Sequence, residues 1–430
     1  MSTPIDRRRF LKQSAAVGVA AAAGLSLSAN APDPPRDDGP WPPIAELDDP
    51  AFQPTTPYGD DQPNVILIRF GGGVRRLETI ADAEHTYCPF IYHELYKRQG
   101  VLFPNMEIDS SPGIETSHGQ GTLYLITGRY AHYADIDRRP FSDRFVPIVP
   151  TVFEYFRRAY QVPAHQALII NGEDRINEDF YTFSNCRPYG IQYRSTVLSL
   201  FRYKQFLLRD ALDQDTRAGG TLLSAHERAQ KQQKLIEMNN RDYRRDERGQ
   251  IITNPVLDDF WRDWRSYYGT TGLVNPRKDR LLTALTLRAL TRLRPRLLMI
   301  NYQDPDYVHW GNRSFYTRAI SIIDEGVREI YNAVQADEYY RDNTVFLIAP
   351  DCGRDSNRCM PVPYQHHFNS RSSREIFAVA SGPGIVSGGA TVERGRPHQQ
   401  ISLAGTVGKI MGFPTPHVDG GAWVLQEMFA

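Results

Sequence analysis

The 430-residue sequence lacks the features that mark several specialised classes of protein. Lys and Arg together number 50, as do Asp and Glu, so there is neither the basic excess of nucleic-acid-binding proteins nor the acidic excess of a solvating tail. Four cysteines are too few for a disulfide-stabilised scaffold. The mean hydropathy is −0.47 and no second long apolar run follows the N-terminal one, which excludes a polytopic membrane protein. The 23 tyrosines and 20 phenylalanines, by contrast, are ample for a large globular core.

The first 31 residues have the composition of an export signal. The basic sequence Arg7–Lys12 precedes an Ala-rich apolar stretch, and Ala29-Asn30-Ala31 supplies an A-x-A cleavage sequence. The order Arg-Arg-x-Phe-Leu-Lys resembles the twin-arginine signal, which carries folded proteins across the bacterial inner membrane. This resemblance implies export by the twin-arginine translocase to the periplasm or beyond. No cysteine lies near the cleavage sequence, so we expect no stable membrane anchor.

The rest of the chain divides into a leader, a domain and an insertion within that domain. Residues 32–62 are rich in Pro and Asp and are typical of an extended leader. Residues 63–425 alternate short apolar runs with helical patterns, which predicts a three-layer α/β/α domain with a mainly parallel sheet. Residues 200–265 are highly charged and predict a helical insertion, which either caps a site or is a solvated hairpin.

Two local patterns give more detailed expectations. The apolar run Val65–Ile68, which is followed by three glycines, predicts a buried strand with a loop at its carboxyl end. Residues 122–130 predict a helix that is closed by Gly128. Ligands of open parallel sheets bind at the carboxyl ends of the strands, so the polar residues that follow the apolar runs are candidate site residues.

These polar segments occur in an order that resembles the alkaline phosphatase/sulfatase superfamily, which includes cofactor-independent phosphoglycerate mutases and nucleotide pyrophosphatases. The resemblance covers about residues 63–200 and 280–425. The segments that carry it are Asn64–Arg75, Thr122–Tyr130, Asn301–Gly311, Ala349–Gly353, His366-His367 with Ser381–Ile385, and Gln400–Pro414.

The resemblance implies one or two divalent metal ions per chain, usually zinc, because the family holds two ions about 4 Å apart. For the first ion it implies Asp306 and His309, with His366 or His367 as the third ligand. The gap between Asp306 and His309 is one residue shorter than usual, so Asp304 is a rival for the same role. Carboxylate and imidazole groups both suit zinc.

The first turn departs from the family pattern for the second ion. The expected Asp falls on Gly72, which has no ligand atom. The turn at Gly72 and Gly73, with Arg75 nearby, either binds an anion through backbone N–H groups or is a plain tight turn. Glu78 is an alternative source of the missing carboxylate.

The remaining ligand positions of the second ion are also altered. Asp351 matches a ligand, but Cys352 stands where the family has His. Cys352 either binds zinc, forms a disulfide with Cys359, or is an inert buried thiol.

The nucleophile position of the family falls on His118, which is not a family nucleophile. Thr116 and Ser117 lie next to it and are the alternative nucleophiles if the loop is shifted. Thr116, Ser117 and His118 are therefore the candidates to contact the bound phosphate or sulfate group. The Cys/Ser-x-Pro-x-Arg signature is absent from this position, which argues against a formylglycine-dependent sulfatase. A further hypothesis is that His118, Asp351 and Cys352 form a three-ligand zinc site with one open position.

The resemblance therefore implies an exported, metal-dependent hydrolase of small anionic phosphate or sulfate esters. The replaced ligands and nucleophile favour an alternative, a pseudoenzyme that acts as a periplasmic binding or scaffold protein. A mutase or transferase is a third interpretation, since Asn301–Gly311 is most similar to the mutase branch.

Overall fold

The computed structural model describes residues 45–47, 57–130, 133–135, 145–172, 182–240, 252, 254–270, 278–309, 312–355, 363–366, 369–393, 395–419 and 423–430. The predicted export signal, most of the leader, Cys359 and His367 lie outside the described residues. Within the described part of the chain, no helix is both long and apolar enough to cross a membrane.

The described residues form thirteen strands and ten α-helices. The strands are β1 (Ala45–Glu46), β2 (Asn64–Phe70), β3 (Gly100–Glu107), β4 (Tyr133–Asp135), β5 (Phe145–Pro147), β6 (Ala167–Asn171), β7 (Cys186–Arg187), β8 (Thr196–Ser199), β9 (Leu297–Tyr302), β10 (Thr344–Pro350), β11 (Glu375–Ser381), β12 (Ala390–Thr391) and β13 (His398–Gln399). The helices are α1 (Arg76–Thr79), α2 (His118–Thr127), α3 (Val152–Tyr160), α4 (Leu200–Arg217), α5 (Ala225–Asn240), α6 (Pro255–Tyr268), α7 (Lys278–Leu293), α8 (Arg313–Ala336), α9 (Arg371–Arg374) and α10 (Ser402–Met411). A π-helix covers Phe90–Tyr96, and 3-10 turns cover Ala164–Gln166, Ile191–Tyr193, Asp304–Tyr307 and Gln426–Met428.

Nine of the described strands form one central sheet. Its order is β12-β3-β11-β10-β2-β9-β6-β8, and β13 also pairs with β3. Among these strands β11 alone runs antiparallel to its neighbours. The prediction of a mainly parallel sheet is therefore confirmed.

The central strand β2 shows why the sheet is covered on both faces. All seven of its residues are buried, as expected for a parallel strand between two helical layers. Side chains alternate between the faces of a strand, so Val65 and Leu67 join one hydrophobic core while Ile66 and Ile68 join the other. The first core is completed by helices α2, α3 and α10, and the second by the π-helix with α4, α6, α7 and α8. This arrangement is the predicted α/β/α sandwich.

The described part of the predicted insertion is helical and consists of α4, α5 and α6. Helix α5 is largely exposed, whereas Trp261 and Trp264 of α6 are buried in the second core. The insertion is therefore partly a solvated hairpin and partly a component of the core. That it caps a site stays a prediction.

Three adjacent parallel strands, β10, β2 and β9, end at the same level. Phe70 of β2 lies opposite both Pro350 of β10 and Tyr302 of β9, so the loops that follow these strands meet at one edge of the sheet. The loop after β2 has to pass very close to the other two. A Cβ atom at Gly72 would lie 2.3 Å from the backbone nitrogen of Asp306, and Gly72 has a φ of +82°, so only glycine fits there.

Candidate metal centre

Three side chains with metal-binding atoms converge at this edge of the sheet. Asp306 lies on the 3-10 turn after β9, His309 follows it by three residues, and His366 comes from the loop before α9. Asp306 Oδ1 is 3.0 Å from His309 Nε2 and 3.4 Å from His366 Nε2. The structure thus brings together three predicted ligands of the first ion. Of the pair His366-His367, only His366 belongs to the residues that the structure describes.

The spacing of these atoms fits one divalent ion. In a tetrahedral zinc site with ligand bonds of about 2.0–2.1 Å, neighbouring ligand atoms lie about 3.3 Å apart. The three atoms all lie within 4.8 Å of one another. His366 is fully buried, whereas the Asp306 side chain is 39% exposed, which leaves one side of the cluster accessible. One carboxylate and two imidazoles are a ligand set that zinc accepts.

The orientation of His366 is fixed by the backbone. Its Nδ1 lies 3.1 Å from the carbonyl oxygen of Thr116 and donates a hydrogen bond to it. The lone pair then resides on Nε2, which is the atom that faces Asp306. A histidine that donates its other ring nitrogen to a carbonyl in this way is oriented for metal binding.

His118 occupies the space between two carboxylates. Its Nε2 is 2.7 Å from Asp306 Oδ1 and its Nδ1 is 2.7 Å from Asp351 Oδ2. These separations are direct hydrogen bonds and are too short for two ligands of one tetrahedral ion. Burial lowers the pKa of His118, but Asp306 and Asp351 outweigh it and hold the pKa well above its ordinary value.

Asp351 is fully buried, and both of its oxygens are engaged by the protein. Oδ1 accepts hydrogen bonds from the backbone N–H groups of Gly73, at 3.2 Å, and Cys352, at 2.8 Å. Oδ2 accepts from His118 and lies 3.7 Å from Nη2 of Arg69. Burial raises the pKa of Asp351, but His118 and Arg69 outweigh it and bring the pKa to about 2.

Cys352 carries a free thiol. Its partner in the disulfide alternative, Cys359, lies outside the described residues, so that alternative stays a prediction. It is fully buried, and its Sγ lies 3.8 Å from His118 Nδ1. Burial, with Asp351 nearby, raises the pKa of the thiol to about 11. His118, Cys352 and His366 form a second possible ligand group, but this group shares His366 with the first.

The two candidate hydroxyl groups both donate hydrogen bonds to acceptors of the protein. Thr116 is buried, and its hydroxyl donates to the carbonyl oxygen of His366. Ser117 is the N-cap of α2, and its hydroxyl donates to Gln120 Oε1 at 2.6 Å. Of the three candidates for contact with the bound group, His118 is the residue that directs its side chain into the cluster.

The glycine turn after β2 is engaged with the protein itself. Gly72 and Gly73 both have positive φ, and the Gly73 N–H donates to Asp351. Arg75 pairs with the buried carboxylate of Glu78 and lies 5.3 Å from the centre of the Tyr364 ring. Glu78 is thus held by Arg75. That Gly72, Gly73 and Arg75 bind an anion stays a prediction.

Asp304, the rival of Asp306, lies near a different carboxylate. Its backbone N–H donates to Asp279 Oδ2 at 2.8 Å. Burial and the negative charge of Asp304 together raise the pKa of Asp279 well above its ordinary value. The structure therefore brings Asp306, rather than Asp304, to the histidines.

Two buried arginines were missed by sequence reasoning. Arg69 is 1% exposed and faces Asp351, and Arg354 is fully buried with Nη2 4.0 Å from Asp306 Oδ1. Arg354 also donates to the carbonyl oxygens of Val308, at 3.1 Å, and Gly72, and so joins the loops after β2 and β9. The available signal was a single charged residue, Arg69, directly after the apolar run Val65–Ile68 in strand β2.

No protein-family profile matches the sequence, and none of the curated proteins compared is similar to it.

Several solved structures are similar in overall arrangement at low sequence identity. The lipoteichoic acid synthase LtaP from Listeria monocytogenes is 9% identical, with 85% of this chain and 75% of that chain covered and a TM-score of 0.47. The alkaline phosphatase PafA is 10% identical, with 86% and 99% covered and a TM-score of 0.47. The sulfatase PsFucS1 from Pseudoalteromonas sp. is 12% identical, with 86% and 76% covered and a TM-score of 0.46.

Proposed function

We propose that this chain is a metal-dependent hydrolase of small anionic esters of phosphate or sulfate. One observation carries the proposal: Asp306, His309 and His366 come from two separate loops and bring three ligand atoms within 4.8 Å at the accessible edge of the sheet. Three such ligands leave one position open, as in catalytic zinc sites. Zinc or another divalent ion fits this set.

A divalent ion held there would act as a Lewis acid that polarises the ester and stabilises the negative charge that builds up on it. The protein supplies the surroundings. Helix α2 begins at His118, so its N-terminus, which favours anions, adjoins the cluster. His118 hydrogen-bonds to Asp306 and so fixes the carboxylate that holds the ion.

The engaged hydroxyl groups favour attack by water over a covalent enzyme intermediate. Thr116 is buried against the His366 carbonyl, and Ser117 donates its proton to Gln120. We therefore assign the attack on the ester to a water molecule, with no phosphorylated or sulfated side chain as an intermediate.

Export in a folded state is part of the proposal. The twin-arginine-like sequence at Arg7–Lys12 supports passage through the translocase to the periplasm or the medium. A protein that folds before export acquires its metal ion in the cytoplasm, which agrees with a metal-dependent site.

A binding or scaffold protein is the second candidate, and one observation favours it. His118 fills the space between Asp306 and Asp351 with two hydrogen bonds of 2.7 Å, so the side chain at the family's nucleophile position is committed to the protein. In this alternative the chain binds an ion or anionic ligand without cleaving it.

Hydrolysis of aryl phosphate and aryl sulfate separates the two candidates. The purified protein would be stripped with a chelator and reloaded with zinc. We expect hydrolysis that is lost on stripping, returns on reloading, and does not return in His309→Ala. His85→Ala is the matched control, because the His85 side chain is 77% exposed and lies outside the cluster. An ion that binds without any hydrolysis supports the binding protein instead.

A further inference from the structure

Arg69 is a buried cation at the base of the metal centre. It lies in the central strand β2 and is 1% exposed. Its Nη1 donates to Thr122 Oγ1 on α2, and its Nη2 faces Asp351 Oδ2 at 3.7 Å. The side chain folds back over Gly71, where a Cβ atom would lie 2.7 Å from Nη2 and 2.9 Å from Nε. Gly71 therefore provides the space that lets the guanidinium reach Asp351.

Both oxygens of Asp351 already face donors or positive charge from the protein. Two backbone N–H groups occupy Oδ1, and His118 with Arg69 occupies Oδ2. A buried carboxylate has to be paired with positive charge or hydrogen-bond donors, and here the protein supplies both. An ion at Asp351 would have to displace donors that are built into the fold.

The second ligand group competes with contacts that already exist. His118, Cys352 and His366 share His366 with the Asp306 group, so the two groups cannot both be filled. The Nδ1 of His118 lies 2.7 Å from Asp351 and 3.8 Å from Cys352 Sγ. An ion between His118 and Cys352 would cost the hydrogen bond to Asp351.

We propose that Arg69 is a positioning residue that takes the place of a second metal ion, so that the chain holds a single ion at Asp306, His309 and His366. The guanidinium neutralises Asp351, Asp351 holds His118, and His118 holds Asp306 toward the ion. The inference rests on the ion site of the proposed function and states how many ions that site contains.

The ion content of the purified full-length protein tests this directly. The protein would be dialysed against excess zinc, then against zinc-free buffer, and analysed for metal per chain. One ion per chain is expected. Two ions would overturn the role of Arg69 while leaving the proposed function intact. No bound ion would overturn the proposed function and this inference together, so the two failures are distinguishable.

A substitution series tests the role of the charge. In Arg69→Met, Asp351 loses its cation, so the contacts from Asp351 through His118 to Asp306 weaken. We expect zinc to bind about 10-fold more weakly at Asp306 while its content stays at one per chain. Arg69→Lys, which keeps the charge, should retain the affinity of the unsubstituted protein. Arg296→Met is the matched control, because Arg296 is a buried arginine that pairs with Asp60 away from the centre. An unchanged zinc affinity in Arg69→Met, or an equal loss in Arg296→Met, would overturn the inference.

Unfolding in urea gives an independent readout that needs no ion. Arg69→Met and Asp351→Asn should each lower the unfolding midpoint, and the double variant should fall no lower than the worse of the two. Fully additive shifts would show that the charges are not coupled and would overturn the inference. If Arg69→Met does not fold, Thr122→Val can replace it, because this substitution removes the hydroxyl that holds Nη1 of Arg69. Thr122→Val should lower the unfolding midpoint by less than Arg69→Met would. Its effect should likewise be less than additive when it is combined with Asp351→Asn.

Discussion

Replacing Asp306 with Asn tests which carboxylate holds the ion. Asn keeps the size of Asp and one carbonyl oxygen, so the contacts at 3.0 Å and 3.4 Å to His309 and His366 can persist while the negative charge is lost. Removing a residue that merely supports a metal ligand costs roughly 10–100-fold in affinity. For a direct ligand we therefore expect zinc to bind about 100-fold more weakly, or about 2.7 kcal/mol.

The matched control for Asp306→Asn lies two residues earlier. Asp304 is a carboxylate on the same 3-10 turn, but its neighbour is Asp279 rather than the histidines. Asp304→Asn should leave zinc affinity within about twofold, which is small beside the roughly 100-fold expected for a lost ligand. Competition with a chromogenic chelator measures both affinities. Unchanged affinity in Asp306→Asn, or a large loss in Asp304→Asn, would refute the assignment of the ligand.

Three further predictions concern the fold and the thiol. Burial raises the pKa of Asp324 to about 6, so the folded state binds this proton more tightly than the unfolded state does. The free energy of unfolding should therefore fall by about 3 kcal/mol as the pH rises from roughly 4 to roughly 6. Urea unfolding measures this slope, which Asp324→Asn should lack. A Cβ atom at Gly121 would lie 2.1 Å from the backbone oxygen of Asp351, so Gly121→Ala should lower the free energy of unfolding by about 3 kcal/mol. Gly395→Ala is the control and should lower it little, because a Cβ atom there meets open space. Equal losses in the two variants would contradict the packing of α2. Cys352→Ala should leave the zinc content at one per chain by elemental analysis, whereas loss of the ion would make the thiol a ligand.

The sheet was predictable because its strands are apolar runs, but the strand ends were not. The run Val65–Ile68 predicted a strand that the structure extends to Asn64–Phe70. Arg69 interrupts the apolar pattern, and the carboxylate that neutralises it, Asp351, lies 282 residues away in sequence. No local pattern contains that information.

Helix α2 shows the same limit at a functional element. Its end at Gly128 was predicted, and Gly128 is the left-handed C-cap with a φ of +68°. Its start was placed four residues too late, at residue 122 instead of His118, because the glycines at 119 and 121 are poor helix formers. Gly121 is required for close packing against Asp351, so a tertiary contact outweighs local propensity.

The ligand set was predicted only as alternatives. Sequence spacing did not decide whether Asp304 or Asp306 is the ligand, and the resemblance did not decide between His366 and His367. The fold brings Asp306 within 3.4 Å of His366, whose other ring nitrogen is held by the Thr116 carbonyl. Such choices depend on side-chain direction, which the order of motifs along the chain does not contain.

Anomalous diffraction at the zinc edge, from crystals of the zinc-loaded protein, tests the central claim most directly. The account predicts a single peak about 2.1 Å from Asp306 Oδ1, His309 Nε2 and His366 Nε2. A peak bound to Asp351 or Cys352, or no peak at Asp306, would contradict it.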